Sequence, residues 1–75
     1  MLTLNASIRF VPEYYSPNLR ATVPPVWCVD FHAPLPVPGH NLPPQYVGET
    51  REAAIRNTVA GLQSLGLHGR LHLSA

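Results

Sequence analysis

Nine prolines in a chain of 75 residues decide how it can be divided into regular elements. Proline lacks the N–H that a β-ladder or helix interior needs and fixes φ at about −65°. Pro12, Pro17, Pro24 and Pro25 therefore rule out a central strand between residues 12 and 25. Pro34, Pro36, Pro38, Pro43 and Pro44 do the same for residues 32–45. Regular structure is left to residues 2–11, to residues 26–31, and to the chain from 45 onwards.

The first of these stretches, LTLNASIRFV, alternates throughout. Leu2, Leu4, Ala6, Ile8 and Phe10 fall on one face and Thr3, Asn5, Ser7 and Arg9 on the other, the period of a half-buried strand. VWCVDF, residues 26–31, predicts a second strand. Trp27, Val29 and Phe31 share one of its faces and Val26, Cys28 and Asp30 the other; with both largely apolar, the strand is expected to be central or covered twice. The proline-bearing segment between these strands reads as a long hairpin connection. Tyr14 and Tyr15 sit within it, either folded back over the core edge or exposed as an aromatic contact patch.

Residues 32–45 read as an excursion between strands, with extended backbone that has little entropy left to lose. QYVG, residues 45–48, predicts a short third strand. The stretch GETREAAIRN, residues 48–57, then opens a helix expected over 51–65. Thr50 is its N-cap and Glu52 favours the positive end of its dipole. Glu52 and Arg56 are spaced i,i+4. Ala54, Ile55, Thr58, Val59, Leu62 and Leu65 make the apolar stripe. Gly66 suits the left-handed C′ position, with Leu67 packing back on Leu62. RLHLSA, residues 70–75, alternates again and predicts a final strand. The fold class expected is α+β, in the order β-β-β-α-β, with an antiparallel sheet and one helix on one of its faces, all in a single domain over residues 1–75.

The pieces in this order resemble the HicB family of antitoxins in their N-terminal, partial RNase H-like domain. The residues that carry the likeness are Val29 and Phe31, then Leu35, Pro36 and Gly39. They continue with Gly48, Glu49, Thr50, Glu52, Ala53, Ala54, Ile55 and Asn57 at the helix start. The likeness spans residues 26–75, the proline-rich stretch being longer than the family's compact turn. It implies an inhibitor that occludes a messenger-RNA-cleaving toxin of the HicA type. HicB antitoxins usually carry a DNA-binding domain after this one, and operator binding is not carried over to these residues.

Composition narrows the function further. Five arginines stand against four acids and there is no lysine, whereas a nucleic-acid binder concentrates its basic charge. No apolar run approaches the ~20 residues of a membrane span. Cys28 is the one cysteine, which suggests a buried small hydrophobe in a reducing cytoplasm. A metal-dependent nuclease needs several converging carboxylates; the first strand has none, leaving Asp30, Glu49 and Glu52. His32, His40, His68 and His72 are scattered, without the spacing of a zinc site. No catalytic residue, metal ligand or cofactor is therefore assigned.

A chain this short buries only about 60% of its unfolded surface, and one helix cannot cover both faces of a four-stranded sheet. The expectation is a non-enzymatic protein-interaction module that forms a homodimer. Its contact residues are expected to be Leu35 and Val37 of the stiff 33–44 segment with the adjoining strand edge, and Tyr14 and Tyr15. A phage-encoded inhibitor of a host defence or regulatory protein is the alternative setting. A nucleic-acid-binding sheet face using Arg9 and the two tyrosines is a third.

Overall fold

The computed structural model describes residues 2–74. Strand β1 (Leu2–Val11) runs into β2 (Tyr14–Ser16), and β3 (Ala21–Val23) runs into β4 (Val26–Phe31). After the proline-rich segment come β5 (Gln45–Gly48), helix α1 (Arg51–Ser64) and β6 (Gly69–Ser74). Four strands form one sheet in the order β5-β4-β1-β6, and β2 pairs with β3 as a separate ribbon. The fold is α+β, with α1 packed on one face of the sheet. Ala75, the last residue of the expected final strand, lies outside the described residues. Among the described residues no helix is long and apolar enough to cross a membrane.

The sheet is mixed, not antiparallel as expected. β4 runs against β1 and β5 against β4, while β6 lies parallel to β1. Three alternating strands leave β5 pointing the same way as β1. The helix carries the chain back across the sheet, so the strand after it repeats the direction of β5. A strand that follows a crossover helix has to pair in parallel if it joins the sheet beside β1.

The expected faces hold, apart from Leu2, whose side chain lies outside the described ones. Register pairs Ile8 with Val29, Val29 with Tyr46 and Ala6 with Leu73. With Phe31, these residues make the helix-facing side of the sheet. Ala6, Val29 and Ala54 are fully buried, and Ile8, Phe31 and Leu62 nearly so. β4 is the central strand that its apolar faces predicted, and the Cys28 thiol is buried on the opposite face.

Helix α1 begins at Thr50, whose hydroxyl accepts the Ala53 N–H at 3.0 Å. It ends in a Schellman turn: Gly66 N–H donates to Gln63 at 3.0 Å and Leu67 N–H to Leu62 at 3.0 Å, with Gly66 at φ 75°. The residues it buries are Ala54, Thr58 and Leu62. Thr58 satisfies its hydroxyl by donating to the Ala54 carbonyl at 2.8 Å. Val59, expected within the apolar stripe, is instead 39% exposed. Helix and sheet meet closely at Gly48, where a Cβ would stand 2.3 Å from the Ala54 nitrogen. No side chain fits there, which accounts for the glycine two residues before the N-cap.

A candidate interaction surface on the hairpin arm

The proline-flanked connection is an arm, not a loop laid over the core. In β1 and β4, paired residues sum to 37, as in Val11 with Val26; in β2 and β3 they also sum to 37, as in Tyr14 with Val23 and Ser16 with Ala21. One hairpin register therefore runs through from the sheet to the tip. Only two rungs are missing, Pro12 opposite Pro25 and Glu13 opposite Pro24. Three of those four residues have no N–H to give, and no backbone hydrogen bond bridges these rungs among the described residues. At the tip, the Leu19 N–H reaches Ser16 Oγ at 3.4 Å and Arg20 takes a left-handed φ of 52° to close the turn.

This arm makes the molecule long, with extents of 43 × 25 × 19 Å. The radius of gyration is 13.7 Å, against about 11 Å for a compact domain of this length. The accessible surface is 5290 Å², and a compact monomer of this mass has about 4500 Å². The excess is of the order of one partner's share of a standard interface, about 800 Å².

The arm and its base carry four of the exposed large apolar side chains, Leu42, Val47 and Val59 lying elsewhere. Phe10, Tyr14, Tyr15 and Leu19 are 51%, 52%, 62% and 70% exposed. Phe10 tilts against Trp27 with ring centroids 5.3 Å apart, forming a platform at the base of the arm. The tyrosines thus take the exposed alternative instead of folding back over the core. The arm's charges are Glu13 and Arg20 alone. Aromatic surface with little charge is the composition of a protein-contact core, whereas phosphate backbones call for concentrated cations.

Within the proline-rich segment, which is largely exposed with Leu42 at 79%, the two residues expected at the contact, Leu35 and Val37, are turned inward. Leu35 is 4% exposed and belongs to the core cluster, and Val37 is half-buried against it. The backbone holds them there: Val37 N–H donates to Leu35 at 2.7 Å, His40 N–H to Val37 at 3.1 Å, and Phe31 N–H to Pro44 at 3.2 Å. With Gly39 at φ 86°, Val37-Pro38-Gly39-His40 has the residues of a type II turn. Leu35 cannot seal the core and reach a partner at once, so these two residues leave the candidate surface. Phe10 and Leu19 join it. Their signal in the sequence was a large apolar side chain just before Pro12 and another in the polar turn that follows Pro17.

On the face away from the helix, Ser7 Oγ lies 2.6 Å from His32 Nε2 and 3.3 Å from Ser74 Oγ. This cluster ties β1, β4 and β6 together. The nearest carboxylate along the chain, Asp30, is engaged by Arg9 Nε at 2.7 Å, and that bond raises the guanidinium above its usual pKa. Among the described residues no carboxylate is bonded to the imidazole in the way nucleophilic catalysis would use. Asp30 lies on this face, while Glu52 lies at the start of the helix on the other, so the acids do not converge. Among the described residues no three His, Cys, Asp or Glu side chains gather as a metal site.

Compared with family models, curated proteins and solved structures, the chain matches none of them.

Proposed function

We propose that the chain is a protein-interaction module that inhibits a partner by occlusion, without catalytic turnover, and that the hairpin arm is its contact surface. One observation carries the reading: four large apolar side chains, Phe10, Tyr14, Tyr15 and Leu19, stand exposed along the arm and its base. Large, rigid aromatic side chains bury much area at small entropic cost, which is why they recur at binding hot spots. The HicB resemblance supplies a partner class, an RNA-cleaving toxin of the HicA type. A phage-borne inhibitor of a host protein uses the same surface with a different target.

The continuous register supplies the test. Val11 and Val26 are the last pair before the missing rungs, so an Asn-Gly turn joining them replaces residues 12–25 without shifting any other pair. The shortened protein is expected to keep the cooperative melt of the sheet and to lose neutralisation of a co-expressed HicA-type toxin. Neutralisation that survives removal of the arm would sink the assignment of the arm. Metal-dependent RNA cleavage by the purified protein would sink the non-catalytic reading itself.

A further inference from the structure

We propose that β6 is a self-association edge, pairing antiparallel with β6 of a second copy to make one continuous eight-stranded sheet. The site is separate from the arm and rests on the difference between the two ends of the sheet.

The β5 end is guarded. β5 has four residues, enters from Pro43–Pro44, and has its Val47 carbonyl occupied by Asn57 Nδ2 at 2.8 Å. Proline and a capped carbonyl are standard ways of blunting an edge. Among the described residues the β6 end has neither device, Arg70 being its one charged side chain. Its six residues contain no proline, and its hydrogen-bonded neighbour is β1 on one side alone. Beside it a groove of about 160 Å³ is lined by Leu4, Leu62, Leu67 and Leu71, with the exposed Val59 at its rim. Leu71 and Leu73 are half-buried on the helix-facing side. Water satisfies the open backbone groups in the monomer, so the gain on pairing comes mainly from covering these leucines.

The strand fits its own copy. About a twofold axis perpendicular to the sheet, paired positions have a constant sum, and that sum must be even to set leucine against leucine on one face. An axis at His72 places Leu71 opposite Leu73 of the second copy, in both directions. It also holds the two Arg70 side chains four rungs apart, roughly 13 Å at about 3.3 Å per residue, beyond the screening length of about 8 Å at physiological salt. An axis at Leu71 halves that spacing, so the His72 register is the one proposed.

The test uses sedimentation together with oxidative cross-linking in a Cys28→Ala background. At the axis, His72→Cys brings two thiols onto directly opposed positions, where Cα atoms lie about 4.5–5.5 Å apart, within disulfide range. The expected result is a mass near twice the 8.2 kDa of the chain, with most of the His72→Cys protein linked. Thr3→Cys, on the interior strand β1, should stay unlinked. A monomer at hundreds of micromolar, or a dimer in which position 72 does not link, would overturn the proposal. Amide exchange on the unaltered protein gives an independent readout. Protection of β6 should rise with protein concentration, and concentration-independent exchange is equally fatal.

Discussion

Gly61 of α1 faces the ring of Tyr46 on β5 so closely that a Cβ at position 61 would stand 2.3 Å from Cε1 and 2.7 Å from Cζ. The ring occupies the space that a helical side chain would otherwise take, and it stands edge-on to Phe31 with centroids 6.1 Å apart. A residue that weakens the helix by about 1 kcal/mol relative to alanine is thereby explained by the sheet beneath it.

Gly61→Ala should therefore destabilise the protein, since overpacking typically costs about 1–3 kcal/mol. At this chain length each kcal/mol lowers the melting temperature by roughly 4–8 °C. In a Tyr46→Leu background the obstacle is gone, and the same substitution should be neutral or stabilising. A thermal-melt double-mutant cycle measures the coupling; additive effects would show that the two side chains do not compete for space.

Gly48→Ala should be worse. The atoms a Cβ would meet at Gly48 are backbone, Ala54 N at 2.3 Å and Ala53 C at 2.7 Å. A tyrosine ring can swing aside, but a capped helix has to lift off the sheet. Loss of a cooperative melt is expected, and a stability loss smaller than that of Gly61→Ala would contradict this spacing.

Leu35→Ala should cost about 2–5 kcal/mol, the range for removing a leucine from a core. Leu42→Ala, seven residues on and 79% exposed, should leave the urea midpoint where it was. Equal midpoints for the two variants would return Leu35 to the surface.

Val59 and Leu62 should separate under the same substitution. Leu62 is 7% exposed and Val59 is 39% exposed, so Asp at 62 buries an unpaired charge while Asp at 59 can turn to water. Circular dichroism should show an unfolded Leu62→Asp chain and a folded Val59→Asp chain. If β6 self-associates, Val59→Asp should also weaken the dimer, because Val59 borders the groove beside that edge.

Elements defined by local rules were legible in the sequence. β1, β4 and β5 lie where alternation and β-branched composition put them, and Thr50 and Gly66 cap the helix as their chemistry dictates. Val59 was misjudged because periodicity gives the direction of a helical face and not its width, and the sheet beneath α1 accepts a narrow stripe of Ala54, Thr58 and Leu62. Leu35 was misjudged for a different reason. A stiff proline-rich segment can lie in solvent or clamp a core, and two local turn bonds with the longer-range one from Phe31 N–H to Pro44 decide between the two. The arm could have been anticipated: Pro12 and Pro25 stand at equal distances from the Pro17–Arg20 turn, as two residues of one rung must. The parallel direction of β6 follows from the helix before it, a constraint of topology that no local pattern carries.

The missing rungs at Pro12–Pro25 and Glu13–Pro24 have a mechanical consequence. A two-stranded ribbon resists bending through the bonds that tie its strands, carried on alternate rungs, and between Val11 and Tyr14 the one rung due such bonds, Glu13–Pro24, lacks them among the described residues. The tyrosines therefore stand beyond the least-tied stretch of the hairpin, on strands that keep the register of the sheet. A partner that engages the arm meets a paired ribbon with only this short stretch left to order, not the conformation of a whole loop.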